Sequence, residues 1–166
     1  RQIAAVASKN HMNSVANDKA QYREPFTVED VLNSQTVIHP LTLPMCSPIS
    51  DGAAAAIICS PTGLKKLKGS IKRHIQIRAS VVQTGSNRDI LDAKKHITRQ
   101  AAEKAYDCGI GPDDLDFLEV HDATAIGEII EMEALGVCEQ GDGGAFAEKG
   151  FTALTGAIPV NPSGGL

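Results

Sequence analysis

The sequence predicts a layered α/β domain built on a mostly parallel, mixed sheet, and three observations point there. Of 166 residues, 42% are hydrophobic but only 4% aromatic, with no Trp. A core must then come from Ala, Val, Ile and Leu, small enough for helices to lie close on a sheet. Ile75, Ile77, Ala79 and Val81 alternate with Gln76, Arg78 and Ser80, the period of a strand. From there the pattern turns helical, extended, helical and extended again, and the order β, α, β, α, β is that of a doubly wound sheet.

Residues 1–40 read as largely irregular. Ile3 to Val6 begins or ends a helix, and Asn10 to Arg23 is polar. Thr27 is placed to cap a short helix running through Leu32, with Asp30 three residues on. Prolines 40, 44 and 48 mark an extended, turning segment. Gly52 to Cys59 is a near-continuous apolar run between Asp51-Gly52 and Pro61, which favours a strand buried on both faces. Pro61 to Gly69 is the best candidate for a domain crossover.

Ile97, Ala101, Ala105 and Cys108 recur at helical spacing, with Lys94, Lys95, Arg99 and Glu103 mostly outside. Gly109 suits the end of that helix and Pro112-Asp113-Asp114 a turn. Leu115 to Val120 reads as a strand. Ala125 to Val137 reads as a second helix, with Ile126, Ile129, Ile130, Ala134 and Val137 on one face and Glu128 and Glu131 elsewhere. A Gly-rich turn at Gly141-Asp142-Gly143-Gly144 precedes a last short strand, Ile158-Pro159-Val160.

Charge excludes some classes of function. Sixteen basic against 20 acidic residues give a net charge of −4, which carries no footprint for nucleic acid. The basic group Lys65, Lys66, Lys68, Lys72 and Arg73 has no interleaved aromatics and reads as a solvated connection. No apolar run approaches the roughly 20 residues that cross a bilayer. The cysteines, Cys46, Cys59, Cys108 and Cys138, form no Cys-x-x-Cys pair; three sit among apolar neighbours and read as buried thiols of a reducing compartment, while Cys46 reads either way. None is placed as an activated nucleophile.

The polar residues with most chemical promise are His121-Asp122, where a strand hands over to a helix. Carboxyl ends of parallel strands face the ligand crevice in open α/β sheets. An imidazole there can donate to an oxyanion, or hold a water that does. Equally, Asp122 can cap the helix while His121 satisfies a neighbouring backbone group. Glu128, two turns further on, meets a polar group from a neighbouring loop or faces solvent, and Glu133 reads as an exposed carboxylate. Asn161-Pro162-Ser163-Gly164-Gly165 is a turn whose glycines permit close backbone approach. Ser47 stands in a loop leading to a buried run and could touch the amide-rich arm of a cofactor.

Taken jointly, these segments resemble the thiolase superfamily, in its sterol-carrier-protein-type and lipid-transfer-type branch. The strongest match is Glu119-Val120-His121-Asp122-Ala123-Thr124-Ala125-Ile126-Gly127-Glu128, continued by Glu133-Ala134-Leu135-Gly136-Val137-Cys138. Pro159 to Gly165 repeats the branch's Pro-Val-Asn-Pro-Ser-Gly-Gly letter for letter. Cys46-Ser47-Pro48-Ile49-Ser50-Asp51-Gly52-Ala53-Ala54-Ala55 resembles the loop and strand closing the family's first half, and Lys9-Asn10-His11 its connecting loop region. The resemblance covers nearly the whole chain.

The resemblance implies an incomplete thiolase-like fold. Residues 1–60 would end the N-terminal half, 61–74 would be the crossover linker, and 75–166 would begin the C-terminal half. It implies an acyl-CoA acyltransferase of lipid or sterol metabolism, with a coenzyme A thioester as substrate and no permanently bound cofactor or metal. His121 would take the oxyanion-site role that an Asn fills in classical thiolases, and Ser47 would contact the pantetheine. The full-length protein is expected to be a homodimer or homotetramer, or to pair with a partner subunit, in the cytoplasm or alternatively the peroxisome.

By the same resemblance, the acyl-accepting cysteine precedes residue 1, and the Gly-His-Pro histidine and second cysteine follow Leu166, so the chain alone is expected to be inactive. Thr124 stands where thiolytic members carry a bulky aromatic. The form His-Asp-Ala-Thr resembles lipid-transfer-type proteins of steroid side-chain breakdown, some of which are retro-aldol lyases. A non-catalytic thiolase-like subunit is the third expectation.

Overall fold

Helix α1 (Gln2–Ser14) packs against three other helices. The computed structural model describes residues 1–67 and 73–165, so Lys68, Gly69 and Lys72 of the expected crossover and basic group, and Leu166, lie outside the described residues. The alanine-rich start of α1 favours helix, and Ala4, Val6 and Ala7 are buried. Its second half buries Asn10, Asn13 and Ser14 instead of apolar side chains. That substitution hid the helix from its sequence, because an apolar stripe ending at Ala7 reads as a single helical turn. Residues expected to be irregular, Lys9-Asn10-His11 among them, are therefore helical.

Helix α2 (Val28–Asn33) starts as expected. The Thr27 side chain accepts from the Asp30 amide at 3.1 Å, and Asp30 accepts from the Thr27 amide at 2.9 Å. This reciprocal capping box is worth about 1 kcal/mol. A two-stranded antiparallel sheet follows, β1 (Thr36–Ile38) and β2 (Leu41–Thr42), then a 3-10 turn at Leu43–Met45. Val31, buried under this hairpin side, joins Val6, Met45, Met132 and Val160 in the core.

The next two expectations are corrected. Gly52 to Cys59 forms no strand, with Ile57 93% and Ile58 77% exposed, and Cys59 is a surface thiol rather than a core one. Ile75 to Val81 forms no ladder and shows no alternation of burial, every residue from Ile75 to Ser80 being exposed. A strand is held by a neighbour's amides and carbonyls, and among the described residues neither run is paired with another segment in this way. Between them Ser60 caps the short helix α3 (Pro61–Lys66).

Helix α4 (Ile97–Tyr106) lies on α5 (Ala125–Leu135). Ala102 is its buried residue, Tyr106 donates to the Leu135 carbonyl at 2.8 Å, and Arg99 pairs with Glu103 on the outside. Helix α5 is turned relative to its expected face. Ala125, Glu128 and Met132 are buried, with Ala134 from the expected face, whereas Ile126 and Ile130 are 40% and 43% exposed. Gly136, at φ 78°, ends the helix in the left-handed conformation that glycine adopts without strain.

The expected Gly-rich turn opens helix α6 (Gly143–Glu148) instead. A Cβ on Gly144 would stand 2.5 Å from the Gln2 side-chain oxygen, so a larger residue there would have to displace that side chain where α6 meets α1. Glu133, expected to be exposed, is half-buried and accepts from the Gly143 amide at 3.1 Å.

The expected strands at 115–120 and 158–160 meet in one parallel bridge, Leu118 beside Val160. The Leu118 amide donates to Pro159 O at 2.9 Å and the Asn161 amide to Leu118 O at 2.8 Å. Among the described residues no helix is long and apolar enough to cross a membrane.

Candidate functional site

The parallel pair ends where three segments converge. Val120 leads straight into His121-Asp122 and then α5, Val160 leads into Asn161 to Gly165, and an antiparallel bridge lays Cys46 beside Thr124. The Ser47 amide donates to the Ala123 carbonyl at 3.1 Å. Glu119 holds the second loop to the strand end, accepting from the Ser163 amide at 3.0 Å and its hydroxyl at 2.8 Å.

These segments wall an open cleft of about 780 Å³, whose lining includes Ser47, His121, Ser163, Gly164 and Gly165. His121 is exposed to the cleft, and among the described residues no hydrogen bond holds its ring. Ser47 is half-buried on the same cleft and also lines a smaller hollow of about 30 Å³ with Asn10, His11, Cys46 and Asp122. The structure thus brings both residues singled out in the sequence to one cavity, at the carboxyl end of a parallel pair.

Under this surface lies a buried polar cluster that the sequence reading left incomplete. Glu128 is wholly buried, and its Oε2 accepts from Asn10 at 3.0 Å, Lys9 at 3.1 Å and Asn161 at 3.2 Å. Its Oε1 lies 3.1 Å from the Lys9 ammonium as an ion pair, without hydrogen-bond alignment. Lys9, its side chain 10% exposed, also donates to Asn10 Oδ1 at 2.6 Å and to the Val160 carbonyl. Asn10 passes the contact on, donating to Asp122 Oδ2 at 2.7 Å.

Asn161 is equally central. Its Oδ1 accepts from the Val120 amide at 2.8 Å, and its carbonyl accepts from Asn13 at 2.9 Å. Glu128 thus meets polar groups from two segments, while the roles of Lys9, Asn10 and Asn161 escaped notice. A signal was present: Val6, Asn10 and Asn13 fall at i, i+4 and i+7, so the amides continue the buried face.

Burial sets the electrostatics of this cluster. It raises the Glu128 carboxyl above its ordinary range, opposed by Lys9 and Asn10, and it lowers the Lys9 ammonium, opposed by Glu128, Asp122 and Glu119. Burial thus pushes both partners toward neutrality, and their mutual attraction and hydrogen bonds oppose it. Burial also lowers His11, whose Nε2 donates to the Pro44 carbonyl at 3.1 Å. Cys138 is half-buried and pushed up to about 11, chiefly by burial and then by Glu133, Asp142 and Glu139, which leaves its thiol inert at neutral pH.

Comparison with known proteins shows the family. The family described as "Thiolase C-terminal domain-like" matches residues 79–166. The chain belongs to the thiolase family.

Over 99% of its length this thiolase-family chain is 41% identical to an acetyl-CoA acetyltransferase of Methanothermobacter thermautotrophicus. It is 37% identical to the benzoylsuccinyl-CoA thiolase subunit BbsB of Thauera aromatica and 34% identical to sterol carrier protein 2 of Rattus norvegicus, again over 99% of the chain. The chain spans 43%, 43% and 31% of the lengths of these relatives.

Among solved structures, the Ltp2-ChsH2(DUF35) aldolase superposes with a TM-score of 0.82 at 23% identity, over 99% of this chain and 44% of that one. At that identity the likeness speaks to the fold, and it confirms the thiolase-like fold class where the described residues assemble a small sheet and a parallel bridge.

Proposed function

We propose that the chain is part of a thiolase-type acyl-CoA acyltransferase, with a coenzyme A thioester as substrate and no permanently bound cofactor. The observation that carries this reading is the position of His121, at the carboxyl end of the Leu118–Val160 parallel pair and on the wall of a cleft it shares with Ser47 and Gly165. Making or breaking a carbon–carbon bond beside a thioester gathers negative charge on the thioester oxygen. A preorganised N–H donor meets that charge without having to reorganise. His121 would supply it, directly or through a water, and the Ser47 hydroxyl would meet the amide-bearing pantetheine arm.

Support comes also from relatives whose names specify an acetyl-CoA acetyltransferase and a benzoylsuccinyl-CoA thiolase subunit. The second is named as a subunit, which fits a full-length protein that works as a homo-oligomer or with a partner chain. The cytoplasm is the compartment we favour, with the peroxisome as alternative.

The test is His121→Ala in the full-length protein. Turnover should fall roughly a hundredfold or more, as expected on losing an oxyanion donor. Near-normal turnover in a folded variant would leave His121 as no more than a helix-leading residue.

A second reading, a thiolase-fold retro-aldol lyase acting on a side-chain acyl-CoA, is favoured by Thr124 standing where thiolytic members carry an aromatic. The nucleophile position of the full-length protein separates the two. A cysteine there supports acyl transfer, and its absence supports the lyase.

A further inference from the structure

We propose that Lys9 is a positioning residue for the His121 site, its ammonium tying the segment that carries His121 to the Asn161–Gly165 loop. The proposal rests on the oxyanion role given to His121 above. Lys9 lies on α1, and neither it nor Glu128 nor Asn161 lines the cleft, so any effect on chemistry must pass through other residues.

Two routes are in place. Lys9 holds Asn10 Oδ1 at 2.6 Å, which fixes the orientation of the amide and directs its Nδ2 to Asp122 at 2.7 Å and Glu128 at 3.0 Å. Asp122 is the residue next to His121. On the other side Lys9 holds the Val160 carbonyl, and Asn161, next in sequence, gives its amide group to Glu128 and takes the Val120 amide. The loop then continues to Gly165, where a Cβ would stand 2.8 Å from Asp122 Oδ2 and 2.9 Å from Asn10.

One ammonium therefore engages three acceptors on α1, α5 and the parallel pair, and both ends of the cleft wall meet again at Asp122. Without it, Asn10 Oδ1 and the Val160 carbonyl lose their shared donor, and Glu128 loses the cation that offsets its burial. A misplacement of about 1 Å at a catalytic group costs up to a hundredfold in rate.

The experiment is a double-mutant cycle in the full-length protein. Lys9→Met with Glu128→Gln removes both buried charges while nearly preserving volume. The pair should lower kcat on the order of ten- to a hundredfold with KM for the acyl-CoA little changed. In a His121→Ala background the same pair should cost no more than about twofold, because the group it positions is gone. Unchanged kcat, or equal losses in both backgrounds, would overturn the proposal. If His121→Ala alone keeps normal turnover, it is the functional reading that fails.

Hydrogen exchange read by mass spectrometry gives an answer independent of turnover. Peptides spanning 119–128 and 160–165 should exchange faster in the double variant while α4 does not change. Faster exchange everywhere, or nowhere, counts against positioning. Lys9→Gln, which keeps a donor of nearly the same reach, is the milder variant for both measurements should the pair not fold, with smaller effects in the same directions.

Discussion

Two regions of this chain reverse the usual rule of burial. Beneath the cleft, Glu128 is 0% exposed and Lys9 nearly so, while in the segment from Ile49 to Cys59 aliphatic side chains stand in solvent, Ile57 at 93% and Ile58 at 77%. Polarity alone does not decide which residues go inside. The polar cluster is buried because its donors and acceptors close on one another within the chain: lysine, two asparagines, a carboxylate and a carbonyl. The apolar segment is exposed because a strand needs lateral partners and a covering layer, and the described residues supply neither.

The sharpest way to break this comparison is Lys9→Met alone. Removing one member of a buried ion pair leaves the other charge without compensation, which costs about 3–5 kcal/mol. Denaturant unfolding of the variant should show a loss of that size. A loss below about 1 kcal/mol would mean that Glu128 sheds its charge by taking up a proton, or meets water, and that the ion pair is not what holds the cluster.

The contrast also explains what the sequence disclosed. Thr27 with Asp30, Gly109 just past the end of α4, and His121 at a strand end were legible because each rests on a local rule: a cap, a left-handed glycine, a strand-to-helix joint. Helix α1 and the inward turn of α5 were not. Asn10, Asn13 and Glu128 occupy buried positions that a hydrophobicity pattern assigns to solvent, and only their partners elsewhere in the chain justify burial. The strand expected from Gly52 to Cys59 failed for the converse reason: its composition was right and its partners were not there. Ser47 sits on the expected cleft, but its proximity to His121 depends on the Cys46–Thr124 bridge, which no local pattern announces.

A smaller effect sharpens the polar side of the comparison. Gly165 has φ +73° and lies hard against Asp122 and Asn10. Gly165→Ala adds both backbone strain and a contact that must give way, and should cost about 1–3 kcal/mol. If the cluster is as tightly closed as its distances imply, the substitution should also speed exchange at 119–128. Wild-type stability in this variant would show that the loop can move off Asp122 without consequence.

The smallest expected effect tests the apolar side. Ile58→Ser in this chain should change the free energy of unfolding by no more than about 0.5 kcal/mol, since a side chain 77% exposed has little burial to lose. In the full-length protein proposed above, the segment would have neighbours. The same substitution should then cost about 2 kcal/mol, the value of burying an aliphatic side chain. The difference between the two measurements isolates what covers the segment from what the segment is. Equal, near-zero costs in both would show that the run from Gly52 to Cys59 is a surface loop in either setting, and that its exposure owes nothing to missing partners.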